Sequence, residues 1–189
     1  MIFKSVDKTA LPLYDGISME IEVSSELKTE RADGGIGGIL LRETPVAPYK
    51  KDLSAFQRAA EYEKNFDISE WKFFMAFDGA RPVGGATLAA KTPEVHMLEG
   101  RDDLCVLWDL RVENGYKRRG VGQKLFDMCR LWAKAQGFAR MKIECQNDNV
   151  PACRFYRKQG AELRRIDEYA YCNDPAFRGE IQLIWYLDL

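Results

Sequence analysis

The sequence contains no apolar run that approaches the ~20 residues needed to cross a bilayer. Its first residues, MIFKSVDKTALPLYDG, place Asp and Pro where a signal peptide needs an unbroken apolar core. Excess charge is also missing, because 28 basic and 29 acidic residues leave a net charge of −1. Bulk electrostatics therefore give no reason to bind nucleic acid or an anionic membrane. We expect neither as a partner.

Paired cysteines are absent as well. None of the five cysteines has CxxC spacing, and their number is odd. A thiolate metal site and a disulfide framework are therefore not indicated. Cysteines within apolar stretches more often pack as small core residues. We expect a reduced, cytoplasmic protein without a metal.

What the chain does have is the pattern of an α/β domain. Its 189 residues are 46% hydrophobic and 30% charged, which suits one globular domain with a buried core. Apolar periodicity and breaker residues predict helices and strands around one central sheet. The predicted strands are 17–23, 72–77, 83–90, 104–112, 138–145, 161–171 and 181–187, and the predicted helices are 52–66, 121–136 and 151–159.

The segment YKRRGVGQKLF at 116–126 places three cations and two glycines directly before a predicted helix. A P-loop needs Lys and Ser or Thr after its last glycine, but Val121 and Gly122 follow Gly120 here. A dinucleotide-binding fingerprint needs a third glycine, where this sequence has Leu125. Both common phosphate-binding loops are therefore excluded.

The two glycines nevertheless suit an anion. Because Gly120 and Gly122 lack side chains, backbone N–H groups at the helix start can point outward, and the helix dipole adds positive potential. The neighbouring cations add charge-assisted contacts. A pyrophosphate bound without either of the common loops indicates coenzyme A. The alternative interpretation is a purely structural basic turn.

Two motifs resemble the GNAT superfamily of acyl-CoA-dependent N-acetyltransferases. Residues 117–122, KRRGVG, are similar to the family signature [QR]-x-x-G-x-[GA], with Lys117 where the family prefers Gln or Arg. Residues 149–160, NVPACRFYRKQG, are similar to the family block N-x-x-A-x-x-F-Y-x-K-x-G. The resemblance covers about residues 70–189 and extends only loosely over 1–70.

Within the superfamily the chain looks most like the streptothricin acetyltransferases. The segments that carry this resemblance are VLWDLRVENGYKRRGVG, IECQNDNVPACRFY and EIQLIWYLDL, with a weaker match at PYKK (48–51). It implies the GNAT fold, a central mixed and mostly antiparallel twisted sheet, flanked by helices and splayed at its two central parallel strands. It also implies one N-acetyltransferase domain over 1–189, with an acetyl-CoA-binding core at 71–189 and a loosely matched part at 1–70.

The resemblance implies acetyl-CoA as cosubstrate, requires no metal, and assigns residues to its binding. Backbone groups of Leu110, Arg111 and Val112 would align the pantetheine arm like an added strand. Asn149 would bind the cofactor or a water molecule, or simply cap a helix. The remaining residues implied in cofactor binding are Lys117, Arg118, Arg119, Gly120, Val121, Gly122, Gln123 and Tyr156.

Three residues are catalytic candidates. Tyr156 matches the family tyrosine that protonates the coenzyme A sulfur, and a phenol suits this role because its usual pKa of ~10 lies near that of a thiol. Packing beside Phe155 is the alternative. Asp109 and Glu144 are candidate bases for the amine proton or binders of a cationic substrate. For each of them the alternative is a salt bridge with an arginine such as Arg111 or Arg140.

The acceptor implied by the resemblance is a small cationic amine such as streptothricin, which connects the protein with antibiotic resistance. The alternatives are a protein or peptide amine, and a non-catalytic module that senses acyl-CoA. Dimerisation is common in the family, so a homodimer is compatible with the resemblance.

Overall fold

The computed structural model describes residues 1–54, 56 and 58–189. Within these residues the chain forms nine β-strands and four α-helices. The strands are β1 (Ile2–Val6), β2 (Glu20–Arg31), β3 (Ile39–Asp52), β4 (Lys72–Asp78), β5 (Arg81–Ala89), β6 (Leu104–Val112), β7 (Arg140–Gln146), β8 (Glu162–Asp167) and β9 (Gln182–Asp188). The helices are α1 (Leu11–Tyr14), α2 (Tyr62–Asn65), α3 (Val121–Ala135) and α4 (Val150–Lys158).

Seven strands form one sheet in the order β1-β4-β5-β6-β7-β9-β8, and β2 and β3 form a separate hairpin. β1, β4, β5 and β6 pair antiparallel in succession, whereas β6 and β7 are parallel. The predicted hairpin at 72–90 and the predicted strand–helix–strand unit that follows it are both present. The mixed, mostly antiparallel fold class is confirmed.

The parallel pair separates toward its C-terminal end. Its register joins Leu104–Leu107 of β6 to Arg140–Ile143 of β7, although β6 continues to Val112. This agrees with the predicted splay. The splay leaves the second half of β6, which holds Asp109, outside the parallel register.

A β-bulge lies at the same place on the other side of β6. Thr87 of β5 is opposite Asp109, whereas Leu88 is opposite Leu107, so Trp108 is the extra residue. The Trp108 ring packs against Phe66 and Trp71, with centroid distances of 5.3 Å to each. A bulge re-aims the side chains beside it, and Asp109 is the residue that directly follows Trp108.

Contacts within the chain divide it into two compact units. The first unit comprises Met1–Glu20, Asp52–Ile143 and Tyr186–Leu189, and its core includes the fully buried Tyr14 and Met75. The second unit comprises Ile21–Lys51 and Glu144–Trp185.

Asn147, in the turn between β7 and α4, organises the second unit. This residue is only 4% exposed. Its side-chain amide donates to the Leu27 carbonyl (3.0 Å), and its side-chain oxygen accepts from the Ile181 N–H (2.8 Å). The side chain therefore fastens the turn that starts α4 to two other segments of the second unit.

The two longer helices lie close to the predicted positions. α3 ends before Gly137, which has a φ of +81°, and Phe138 N–H bonds to the Ala133 carbonyl as in a Schellman cap. α4 begins after Asn149, whose side chain accepts from the Ala152 N–H (3.3 Å). These boundaries were predictable because capping is decided by residues that are neighbours in sequence.

The single helix predicted at 52–66 is wrong in the part that the structure describes; residues 55 and 57 of that prediction lie outside the described residues. β3 extends to Asp52, and helical residues begin only with a 3-10 turn at Ala59–Glu61 that leads into α2. The reason is tertiary, because the Asp15 carboxylate accepts the N–H groups of Ala59 (2.6 Å) and Ala60 (3.0 Å). This cap comes from a distant segment and fixes the helix start later than the local pattern suggests.

Gly85 of β5 is required by its contact with α1. A Cβ at this position would lie 2.3 Å from Cε2 of Tyr14, whose ring is fully buried. We expect Gly85→Ala to lower the free energy of unfolding by about 1–3 kcal/mol, because the overpacked ring cannot move freely. Urea unfolding measures this change. The control is Gly115→Ala, where an added Cβ meets no atom within 4 Å; equal stability of the two variants would contradict the argument.

Candidate active site

The start of α3 has the geometry of an anion site. Its N-cap residue Gly120 has a φ of +82° and makes no side-chain capping bond, and Arg118 is also left-handed with a φ of +62°. The first N–H groups of a helix have no partner within the helix. Left-handed residues in such a turn aim successive N–H groups toward one point, as in anion-binding nests. The local structure therefore suits a phosphate group.

The cations of this turn differ in their surroundings. Lys117, Arg118 and Arg119 are all exposed, and the Arg119 guanidinium lies 5.5 Å from the centre of the Tyr116 ring. Lys117 instead donates through Nζ to the Glu20 carbonyl (3.0 Å), and burial lowers its pKa. The two arginines are thus the cations with the greater freedom to meet a ligand.

The space around Gly122, in the first turn of α3, is open on the protein side. A Cβ there would approach only Cγ2 of Val112, at an ordinary 3.5 Å. The protein itself therefore tolerates a side chain at Gly122. Any requirement for glycine at this position must come from a ligand.

The predicted pantetheine-aligning residues lie on the second half of β6. Leu110, Arg111 and Val112 pair with Ala86, Gly85 and Gly84 of β5. They lie beyond the part of β6 that is in register with β7. In this half, β6 is therefore paired with β5 along one edge, and along its other edge it is no longer in register with β7.

Asp109 forms a buried ion pair with Arg111, both side chains being 3% exposed. Arg111 Nε donates to Asp109 Oδ2 (2.8 Å), and its Nη2 donates to the same oxygen. The guanidinium also lies 4.7 Å from the centre of the Tyr14 ring and 4.0 Å from an oxygen of Asp15. The salt bridge suggested as the alternative role of Asp109 is therefore present.

Burial and the charge of the partner shift the pKa values of Asp109 and Arg111 in opposite directions. Burial raises the pKa of Asp109, and the Arg111 guanidinium only partly opposes the shift. Burial alone would lower the pKa of Arg111, but the Asp109 carboxylate raises it above its ordinary value. Burial, and then the Asp109 charge, raise the pKa of Tyr14 well above its usual range. A neutral phenol therefore lies against the ion pair.

Glu144, the other candidate base, lies on β7 in the second unit. Its carboxylate accepts a hydrogen bond from the hydroxyl of Tyr171. Arg140, suggested as a salt-bridge partner, instead binds Asp188 (2.7 Å) in the first unit. Burial, together with the nearby Glu144 charge, raises the pKa of Tyr171. The contact of Glu144 is thus with a neutral phenol and not with an arginine.

The two α4 residues have clear local roles. The Asn149 side chain makes the helix cap that was proposed as its alternative role. Tyr156 is only 8% exposed, and its ring packs edge-on against Phe155 with a centroid distance of 5.6 Å. Packing of the ring does not exclude chemistry at the phenol oxygen.

Sequence reasoning did not find Tyr14 or Tyr171. Tyr14 lies far along the chain from Arg111, whose guanidinium packs on its ring, and Tyr171 lies 27 residues from Glu144, so no local pattern marks either tyrosine. Among residues 1–54, 56 and 58–189 there is no group of three His, Cys, Asp or Glu side chains placed to hold a metal ion. No helix in the described part of the chain is both long and apolar enough to span a membrane.

The fold, a helix start whose geometry suits an anion, and the two motifs are typical of an acetyltransferase of the GNAT type. The family model described as "Acetyltransferase (GNAT) family" matches residues 39–161, so the chain belongs to this family. It is related to streptothricin acetyltransferases. The Escherichia coli streptothricin acetyltransferase is 31% identical over 149 residues, which is 79% of this chain and 76% of that protein. Streptothricin acetyltransferase A of Bacillus subtilis is 35% identical over 78 residues, or 41% of this chain and 44% of that protein.

Solved structures confirm the fold. A Bacillus anthracis protein assigned as a streptothricin acetyltransferase, crystallised with acetyl coenzyme A, superposes with a TM-score of 0.78. The alignment covers 100% of this chain and 97% of that chain at 21% identity. Nourseothricin acetyltransferase gives a TM-score of 0.77 at 20% identity, covering 99% of this chain and 97% of that chain. At these identities the likeness concerns the fold alone.

Proposed function

We propose that this enzyme transfers an acetyl group from acetyl-CoA directly to a primary amine of a small cationic molecule such as streptothricin. The observation that carries the proposal is the start of α3, where left-handed Arg118 and Gly120 precede a helix without a side-chain cap. The relationship to streptothricin acetyltransferases supports the choice of acceptor. We also place the enzyme in the cytoplasm, because all five of its cysteines are free thiols.

Residues 71–189 form the core that binds the acetyl donor, acetyl-CoA. Acetyl-CoA, when bound, supplies an acetyl group activated as a thioester. Residues 118–123 bind the pyrophosphate through backbone N–H groups and the arginine side chains, and Lys117 borders this turn. The backbone of Leu110, Arg111 and Val112 aligns the pantetheine arm, and Asn149 contributes from the cap of α4.

A substitution of Gly122 can distinguish an effect on acetyl-CoA binding from an effect on protein stability. The first turn of α3 would gain an alanine, which has a helix propensity up to about 1 kcal/mol better than glycine, and its Cβ fits against Val112. We therefore expect Gly122→Ala to be as stable as the wild type or more stable. The KM for acetyl-CoA should rise about tenfold, because one charge-assisted hydrogen bond is lost. Steady-state kinetics and urea unfolding measure both effects, and an unchanged KM would contradict the role of this turn.

The chemical step needs a proton donor and a proton acceptor. We propose that Tyr156 protonates the leaving thiolate and that a carboxylate receives the proton from the amine. Of the two candidates, Asp109 would have to give up a buried ion pair with Arg111, whereas Glu144 is hydrogen-bonded to a neutral phenol. These contacts favour Glu144 as the base, and they give Asp109 the task of holding Arg111 in β6.

A thiol-release assay tests the function. The purified protein is incubated with acetyl-CoA and, in turn, streptothricin, a polyamine, an aminoglycoside and an N-terminal peptide. We expect selective turnover of streptothricin that is lost in Tyr156→Phe. Turnover of the peptide alone would indicate a protein acetyltransferase, and tight acetyl-CoA binding without turnover of any amine would indicate a sensor. Absence of acetyl-CoA binding would overturn the proposal at its first step.

A further inference from the structure

Four side chains of the second unit form a cluster that the proposed acetyl transfer does not use. Lys51 Nζ binds Asp148 (2.8 Å) and Glu180 (2.6 Å), and the Tyr49 hydroxyl donates to Asp148 (3.1 Å). Tyr49 and Lys51 both belong to the PYKK stretch, and Asp148 directly precedes Asn149. We call these four residues the Lys51 cluster.

The charged side chains of the Lys51 cluster are largely buried. The side chains of Lys51, Asp148 and Glu180 are 11%, 3% and 16% exposed. Burial, followed by the Asp148 charge, raises the pKa of Tyr49 to about 12, so this phenol remains a neutral donor. Burial raises the pKa of Glu180, and its hydrogen bond to Lys51 opposes this shift. With both carboxylates ionised, the cluster has two negative charges against the one positive charge of Lys51.

Two carboxylate oxygens of the cluster lack a donor. Asp148 Oδ1 and Glu180 Oε2 are buried and have no hydrogen-bond partner among the residues that the structure describes. Both donors to Asp148 use its other oxygen, Oδ2. A buried acceptor without a partner costs about 1–3 kcal/mol, and more when it is charged. These two oxygens can therefore accept hydrogen bonds from a further group, and a positively charged donor would suit them best.

The chemistry of the cluster favours an organic cation over a metal ion. Only two carboxylates are present, whereas a divalent ion such as Ca²⁺ takes about six to eight oxygen ligands. An ammonium or guanidinium group instead donates hydrogen bonds to individual carboxylate oxygens. The Phe177 ring, 5.3 Å from Lys51 Nζ, adds an aromatic face of the kind that attracts cations. Tyr49, which is 46% exposed, brings the cluster to the surface.

We propose that Asp148 and Glu180 bind an ammonium or guanidinium group of the acceptor, distinct from the amine that is acetylated. The Lys51 cluster is then a specificity site that selects polycationic acceptors over simple amines. This inference rests on the proposed function, because it assigns the acceptor of the same enzyme. Lys51 and Tyr49 are positioning residues here, since they hold the Asp148 carboxylate through its Oδ2.

Calorimetric titration tests the inference without depending on turnover. Streptothricin and spermidine are titrated into the wild type, Glu180→Gln and Asp148→Asn, with a monoamine of similar pKa as the comparison ligand. The matched control is Glu162→Gln, which removes an exposed carboxylate of the second unit paired with Arg164. Thermal unfolding and acetyl-CoA titration accompany each variant.

We expect Glu180→Gln and Asp148→Asn to bind streptothricin and spermidine about tenfold more weakly or worse. This is the change in affinity that the loss of one charge-assisted hydrogen bond produces. The control should stay within about twofold, and acetyl-CoA affinity should be unchanged in all variants. A purely structural role would instead lower thermal stability and acetyl-CoA affinity together.

Besides that structural outcome, two further results would overturn the inference. One is polycation affinity within twofold of wild type in both cluster variants. The other is a wild type that binds neither polycation, which would mean that water alone satisfies the two oxygens. The proposed function fails separately, through absent acetyl-CoA binding or absent turnover of every amine.

Discussion

Replacing Tyr156 with phenylalanine should lower kcat for acetyl transfer about 100-fold or more, within the range for loss of a positioned general acid. The substitution removes only the phenol oxygen from a side chain that is 8% exposed and packed against Phe155. The ring and its packing remain, so the KM for acetyl-CoA should change little. Kinetics over a range of pH should also show the loss of the limb that the phenol controls in the wild type.

Tyr62→Phe is the matched control for this prediction. Tyr62 is buried to a similar degree, 3% exposed, and packs against Trp71 with a centroid distance of 5.4 Å in the first unit. Its loss of a hydroxyl should affect stability, by about 1 kcal/mol, and leave the pH profile of kcat unchanged. If Tyr156→Phe retained wild-type kcat, the phenol would have only a packing role.

Replacing Arg111 with leucine should have the largest effect on stability. The variant leaves Asp109 buried without its guanidinium partner, and breaking one side of a buried pair costs about 3–5 kcal/mol. The leucine also loses the contact of the guanidinium with the Tyr14 ring. Urea unfolding at neutral pH measures the loss.

The pH dependence of this loss has a definite sign. Burial already raises the pKa of Asp109 in the folded wild type, and removing Arg111 removes the charge that opposes the shift. The folded variant then holds a proton that the unfolded chain releases, so its stability falls as the pH rises above the unfolded pKa of about 4. The destabilisation relative to wild type should therefore be smaller at pH 5 than at pH 8.

Two further variants serve as controls for the loss of stability in Arg111→Leu. Arg140→Leu breaks an exposed pair with Asp188 and should cost no more than about 1 kcal/mol. The double substitution Arg111→Leu with Asp109→Leu removes both buried charges, and it should recover much of the lost stability. A single variant as stable as wild type at pH 8 would show that the pair is not desolvated as the structure describes.

The sequence alone was enough to predict the class of fold and to locate the two family motifs. α3, its glycine-rich start, α4 and its Asn149 cap are set by residues within a few positions of one another, so their spacing was informative. The antiparallel hairpin of β4 and β5 was predictable for the same reason, since only residues 79 and 80 separate the paired Asp78 and Arg81. Burial within α3 was less predictable. Apolar residues at helical spacing predict a buried face made of Val121, Leu125, Met128, Trp132 and Ala135. Val121 and Leu125 are buried, but Met128 and Trp132 are only partly buried and Ala135 is exposed. Phe126, Cys129 and Ala133 complete the buried face.

Which charges and phenols meet was decided by the tertiary structure. Sequence analysis could name Arg111 or Arg140 as partners of either acid, but only the fold assigns Arg111 to Asp109, Asp188 to Arg140 and Tyr171 to Glu144. The start of α2 likewise depends on a carboxylate 44 residues earlier in the chain.

The Lys51 cluster is the clearest case of this division. The sequence singled out PYKK and the stretch around Asn149 separately, and it gave no sign that Lys51 and Asp148, 97 residues apart, form an ion pair. Local motifs determine the starts of α3 and α4 because the hydrogen bonds there close within one turn. Side-chain pairing between distant segments depends on strand order, register and burial, and only the folded chain specifies these.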